Sequence, residues 1–244
     1  EEDLPMEQII LGGDHLGPLT FTQYAEEKAM AEAEELVRQF VLAGFTKIHL
    51  DTSMKVASDD PDSRLCDDVI SRRGSRLAKV AEEAFAQRQK FNPDAVHPVY
   101  IVGSEVPIPG GSQEAVDNGL QVTKVADFKN TVSIFEKAFH EQGLDEAWNQ
   151  VIAFVVQPGV EEKDAGCTAY DRAKARELMA SIKEYPRFVF EGHSTDYQTK
   201  EHLRQLVEDG VGILKVGPGL TYAMREGLFA LAYAEKEVYK DQPE

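Results

Sequence analysis

Ile9-Ile10-Leu11-Gly12-Gly13-Asp14-His15-Leu16-Gly17-Pro18 is the stretch on which the rest of the chain turns. Ile9-Ile10-Leu11 has the aliphatic, β-branched character of a buried strand, and the two glycines after it predict that the strand ends there in a turn. An acid and an imidazole arrive together at that point. Ligands of parallel sheets bind beyond the carboxyl ends of the strands, so Asp14 and His15 are expected on the functional side. The plain alternative is that Asp14 caps the next segment and His15 bonds to backbone. What the other strand ends carry decides between the two.

Working outward, Tyr24 to Ala43 repeats apolar residues at helical spacing and stops at Gly44. Thr46 to Ser53 reads as a second strand ending in Asp51 and two hydroxyls, and a helix is expected over 67–89. His97 to Glu105 is a third strand with Glu105 at its end, followed by the stiff loop Val106-Pro107-Ile108-Pro109-Gly110-Gly111. Further strands are predicted over 151–159, 187–196 and 211–216, and helices over 126–142, 171–183, 200–209 and 221–239. This alternation predicts consecutive βα units, a parallel sheet and right-handed crossovers. A doubly wound sheet would carry a phosphate-binding glycine fingerprint at its first βα turn, and Gly12-Gly13-Asp14-His15-Leu16-Gly17 is not one. Polar groups at nearly every strand end point instead to a TIM (βα)8-type barrel. The expectation is a single α/β domain over 1–244, a partial barrel with the first two βα units missing from this chain.

Composition narrows the partners. A formal charge of −17 over 244 residues argues against nucleic acid or an anionic membrane, both of which would be repelled. Cys66 and Cys167 are too few and too far apart for a disulfide framework or a zinc knuckle, which fits reduced thiols in a cytoplasmic protein. No long uncharged apolar run exists, and Glu1-Glu2-Asp3 is the opposite of a basic signal-peptide region.

The expected strand ends hold Asp14, His15, Asp51, Glu105, Gln157, Glu191, His193, Asp196 and Lys215. His15 and His193 with the carboxylate of Glu105 form a nitrogen and oxygen set suited to a divalent metal, with zinc the first choice. Such a metal would polarise a carbonyl or a pair of sugar oxygens, while Asp14, Asp51 or Glu105 moves a proton. The alternative for several of these residues is helix capping or pairing with lysines. Lys215 lies in the apolar run Ile213-Leu214-Lys215-Val216, where a lysine must be paired or used; a salt bridge, an anion contact and a Schiff base are all open. Gly217-Pro218-Gly219 places bare backbone before a helix, so Ser194, Thr195, Lys215, Gly217 and Gly219 are candidates for an anionic head group. His49, two residues before Asp51 and on the same side of its strand, reads as a buried, hydrogen-bonded histidine rather than a ligand.

These segments resemble the GatZ/KbaZ family. The resemblance rests on Ile9 to Pro18, Lys47-Ile48-His49-Leu50-Asp51, Glu105 to Gly111, Val155 to Val160, His193-Ser194-Thr195-Asp196-Tyr197-Gln198-Thr199 and Ile213 to Pro218, in the family's order. It implies a TIM-type barrel related to metal-dependent class II aldolases and a role as a subunit of D-tagatose-1,6-bisphosphate aldolase in galactitol catabolism. That activity yields glycerone phosphate and glyceraldehyde 3-phosphate. The subunit is either furnished with a metal pocket or a non-catalytic partner that steadies a separate catalytic aldolase, and a homo-oligomer is compatible with it. Related barrels act as metal-dependent epimerases of ketoses and their phosphates, which gives an alternative. Asp14-His15 matches the aldolase Asp-His pair and His193 a late metal histidine. The place of the third histidine reads Gln157-Pro158-Gly159, so the resemblance leaves completion of the site to a carboxylate, Glu105. Some members carry the description tagatose-6-phosphate kinase, yet this sequence has no nucleotide-binding loop.

Overall fold

The computed structural model describes residues 5, 8–104, 120–163 and 166–239. Six strands form one parallel sheet: β1 (Gly12–Leu16), β2 (Lys47–Leu50), β3 (Val99–Val102), β4 (Val151–Val156), β7 (Val189–Gly192) and β8 (Val211–Leu214), paired in that order. The helices between them are α1 (Glu26–Ala43), α2 (Asp67–Phe91), α3 (Val125–Glu141), the short α4 (Asp145–Asn149), α5 (Arg172–Ser181), α6 (Lys200–Glu208) and α7 (Pro218–Val238). A small antiparallel hairpin, β5 (Glu161–Lys163) with β6 (Gly166–Thr168), is inserted after β4. No described helix is long and apolar enough to cross a membrane.

The order is sequential, as repeated βα units require. The first strand is a correction. It starts at Gly12, not Ile9, and Ile9, Ile10 and Leu11 are exposed; the glycines expected to end the strand instead begin it, pairing with Lys47 and Ile48 of β2. Hydrophobic character alone misplaced the strand by three residues.

The sheet is strongly curled. With neighbouring strands about 4.8 Å apart, the edge strands of a flat six-stranded sheet would lie about 24 Å from each other. Instead Lys215, just past β8, touches Asp14 on β1. Lys47 of β2 likewise reaches Glu191 of β7 at 2.8 Å, although two strands lie between them.

Alternation along the strands then sorts the side chains. Ile48, Leu50, Tyr100, Val102, Phe154 and Phe190 point outward into the main core against the helices. Ile101, Ala153 and Val155 line the concave side, with Val189 and Ile213 packed against them. His49 and Glu191, one place out of phase with the outward set, fall on that concave side above the apolar floor. α1 buries Ala29, Met30, Ala33, Val37 and Val41, and Gly44, at φ 100°, closes it with a left-handed turn. In α2, Arg73 is wholly buried and pairs with Asp59 and Glu26, both at 2.7 Å. In α7 no residue is buried.

Candidate functional site

The concave face holds a compact polar cluster at the carboxyl ends of four strands. β1 supplies Asp14 and His15, β2 His49 and, just beyond it, Asp51; β7 supplies Glu191 with His193 following, and Lys215 follows β8. Asp14 and His15 are adjacent, so in a regular strand they would face opposite sides. A register shift between Gly13 and Leu16 and a positive φ of 48° at His15 break that alternation and let both side chains join the cluster. Gly17 then passes so close to β2 that a Cβ there would lie 1.6 Å from the Asp51 carbonyl oxygen. Only glycine permits this approach, which brings Asp51 under His15.

The three imidazoles form a triangle with ring centroids 5.1 Å (His15 to His49), 5.2 Å (His15 to His193) and 5.5 Å (His49 to His193) apart. His15 Nδ1 donates to Asp51 Oδ2 at 2.6 Å, while Asp51 Oδ1 accepts from the Ser53 amide at 3.1 Å and its hydroxyl at 2.6 Å. Both oxygens of Asp51 are thus taken. That bond fixes the tautomer and leaves the His15 Nε2 lone pair facing the cluster, where Lys215 Nζ donates to it at 3.1 Å. His49 Nδ1 donates to Asp14 Oδ1 at 3.3 Å, and its buried Nε2 has no hydrogen-bond partner among the described residues. His193 Nε2 donates to Glu191 Oε1 at 2.9 Å. Lys47 lies 2.8 Å from Glu191 Oε2, an ion pair whose angles fall short of an aligned hydrogen bond.

These contacts set the charges. Burial by itself would raise the Asp14 pKa, but hydrogen bonds from His49 and Lys215 hold it well below the usual carboxylate range. Burial is similarly outweighed at Asp51 by the His15 bond and at Glu191 by the bond from His193 and the charge of Lys47, bringing both to about 2. Burial lowers His193 to about 4, with the Lys215 charge adding to the effect against Glu191, so its imidazole is neutral near pH 7. Burial also lowers Lys215 from its ordinary value despite Asp14.

Asp14, His15, Asp51, His193 and Lys215 therefore meet in one place. Glu105 lies outside the described residues. His49 is buried and hydrogen-bonded as expected, and it is also a full member of the cluster. Glu191, noted at a strand end but given no role, is the central carboxylate. The signal for both was available in strand parity: His49 shares a face with Asp51, and Glu191 with His193.

Of the expected anion residues, Thr195, Gly217 and Gly219 are otherwise engaged. The Thr195 hydroxyl donates to the Lys215 carbonyl at 2.9 Å, and Asp196 accepts from the Gly217 and Gly219 amides at 3.0 and 2.7 Å. Ser194 sits at φ 53° between His193 and Thr195. The Gln157 side chain accepts from the amides of Gly159 and Val160 at 2.8 and 3.0 Å, so it closes its own turn. Within the described residues the third imidazole comes from β2 instead. Among the described residues two groups could hold a metal ion: Asp14, His15 and His49, and His49, Glu191 and His193.

A curled parallel sheet with its polar groups gathered at the carboxyl ends of the strands is the build of a βα-repeat protein with its site at the strand ends. The chain belongs to the D-tagatose-1,6-bisphosphate aldolase subunit GatZ/KbaZ-like family, which matches residues 1–244. A crystal structure described as a probable tagatose 6 phosphate kinase from Sinorhizobium meliloti 1021 is 42% identical, with a TM-score of 0.82 over 100% of this chain. This chain spans 56% of that protein. The homocysteine methyltransferase MmuM from Escherichia coli, in apo and metallated forms, is 13% identical at TM-scores of 0.36 and 0.37. Those two structures cover 81% and 84% of this chain, with 85% and 90% of their own length aligned, and so distant a likeness carries no inference.

Proposed function

We propose that this chain contributes six units of a (βα)8 barrel and that its cluster is the metal and substrate site of a metal-dependent D-tagatose-1,6-bisphosphate aldolase, in which it serves as a subunit beside a catalytic aldolase partner. The reaction is cleavage to glycerone phosphate and glyceraldehyde 3-phosphate. One observation carries this reading: His15, His49 and His193 meet Asp14 and Glu191 around a single point.

The residues fit a divalent cation. His15 turns a lone pair inward while Asp51 holds its other nitrogen, the arrangement in which a carboxylate orients a metal-binding imidazole. Buried His49 Nε2 has no hydrogen-bond partner among the described residues, and imidazoles with carboxylates suit zinc. A bound cation would supply Lewis-acid polarisation of a carbonyl or of neighbouring hydroxyl oxygens.

The chain's own groups do the rest. Asp51 positions His15. Asp14, half-exposed at the opening, would take a proton from a substrate hydroxyl once the Lys215 ammonium that weakens it as a base has moved away. Lys215 and Ser194 stand where an anionic end of the substrate would enter, whereas Thr195, Gly217 and Gly219 would first have to release the Lys215 carbonyl and Asp196. Glu105 keeps its proposed place as a further carboxylate. Kinase chemistry has no part in the proposal, because the sequence lacks a loop that wraps nucleotide phosphates. The setting is cytoplasmic, in keeping with the free Cys66 and Cys167.

A second reading is a metal-dependent ketose or ketose-phosphate epimerase. It is favoured by Asp14 and Glu191 reaching the same ammonium from β1 and β7, since two carboxylates on different sides of a sugar carbon can remove and return a proton. Metal analysis of the purified protein and assay with tagatose 1,6-bisphosphate, alone and with an aldolase partner, test the reading. Bound metal with cleavage only in the partner's presence supports the subunit role. Epimerisation by this protein alone replaces the first reading with the second, and a metal-free protein without effect on the partner removes both. His193→Ala is expected to abolish metal uptake; unchanged metal content takes His193 out of the site.

A further inference from the structure

Among the charges of the cluster, one stands where a metal would be expected. Lys215 Nζ donates to His15 Nε2 at 3.1 Å, touches Asp14 Oδ1 and lies 3.9 Å from Glu191 Oε1. An imidazole lone pair and two carboxylate oxygens around one cation are the donor set of a divalent ion. We infer that the Lys215 ammonium is a built-in competitor for the divalent-cation site, filling it in the metal-free protein and leaving it when metal binds. This rests on the metal reading above.

Two physical facts support the exchange. Counting the carboxylates and ammoniums alone, Asp14, Asp51 and Glu191 bring three negative charges, which Lys47 and Lys215 reduce to a net of one. Without the Lys215 charge the excess is two, matching a divalent ion. The second is mechanical. Lys215 follows β8 at the edge of the sheet, facing edge strand β1, and its flexible four-carbon stem lets the ammonium withdraw while the backbone stays tied. That tie is explicit: the Lys215 amide donates to the Gly192 carbonyl at 2.9 Å, and its carbonyl accepts from the Thr195 amide and hydroxyl at 3.1 and 2.9 Å. A withdrawn ammonium stays at the opening, available to the anionic end of a substrate.

Calorimetric titration of the apo-protein with Zn2+ and with Co2+ tests this, using wild type, Lys215→Met, Lys215→Gln and the charge-keeping Lys215→Arg. Removing a unit positive charge from within 4 Å of the ion should tighten binding on the order of tenfold or more in the Met and Gln variants. Both should also gain more in melting temperature on adding metal than wild type does, because their metal-free forms leave Asp14 without its ammonium partner. The Arg variant should show neither gain. A variant that folds only with metal present counts as support, since the missing charge is then supplied by the ion. Binding to wild type that neither neutral variant tightens overturns this inference and leaves the metal reading standing. No binding to wild type or any variant overturns both.

Discussion

Two long helices of this chain, α2 and α7, both carry apolar residues along their length and are treated oppositely by the fold. α2 runs 25 residues and buries Ile70, Leu77, Ala81 and Phe85 among others; α7 runs 21 residues and buries none. Leu77 is 0% exposed, whereas Leu228 is 57% and Leu231 67% exposed. The face of α2 toward the core includes Ala78, Ala81 and Ala84, which let the helix lie close, and its Arg73 clamps both α1 and the loop after β2 through Glu26 and Asp59. α7 is fixed at its start, where Asp196 accepts from the amides of Gly217 and Gly219. An apolar stripe thus records that a helix is suited to burial, and only the tertiary structure records whether this chain supplies the cover.

The comparison can be broken at several points, beginning with the largest effect. Arg73→Ala leaves Glu26 and Asp59 beside an emptied, buried site and should destabilise the protein by about 3–5 kcal/mol in urea unfolding; a loss under about 1 kcal/mol would show that the clamp is not structural. Leu77→Ala should cost about 2–5 kcal/mol, while the same change at Leu228 stays within about 0.5 kcal/mol. Equal losses at the two positions would mean that α7 is packed in solution.

The two helices should also respond to pH with opposite sign. The Arg73 hydrogen bond holds Asp59 and Glu26 below their ordinary values of 3.8 and 4.5 against some burial. Groups with depressed folded pKa values stabilise above the unfolded values, so the α2 clamp is intact at neutral pH and is lost as pH falls through and below about 4. Acid titration of wild type against Arg73→Ala should show that dependence in wild type alone. On β5, beside the Asp196 that holds the start of α7, burial, the hydrogen bond with Asp196 and the Asp196 charge push Glu162 up to about 7. A carboxyl with a raised folded pKa stabilises fully below its unfolded value of 4.5 and loses that contribution as pH rises through about 7. Amide exchange at Gly219 should therefore quicken as pH rises from about 4.5 to about 7 and level off above that, once corrected for intrinsic base catalysis, and Glu162→Gln should remove the change. This is the smallest expected effect, and its absence would separate the hairpin from the helix start.

Much of the architecture could be read from the chain. Apolar runs alternating with 3.6-residue periodicity located the βα units because each strand and each helix face has to be buried. β1 was misplaced because Ile9-Ile10-Leu11 is more hydrophobic than Gly12 to Leu16, and a strand held by pairing with β2 and by a bulge does not announce itself by hydrophobicity. The hairpin over Glu161 to Thr168 and the five-residue α4 were too short to give a period. In the site, Asp14, His15 and His193 stood out as polar residues against apolar strands. His49 did not, because a histidine within a strand reads the same whether it lies under a core or beside two other imidazoles.

By itself the sequence determined the order of units, the parallel sheet and the side of it that carries polar groups, since these follow from local periodicity and from the direction of each strand. The tertiary structure decided the curl that brings Lys215 to Asp14 across 201 positions, the bulge that turns Asp14 and His15 to one side, and the neighbours of His49 and Glu191. Those features depend on the register and twist of strands far apart in the chain, and no local pattern encodes the distance between two ends of a curved sheet.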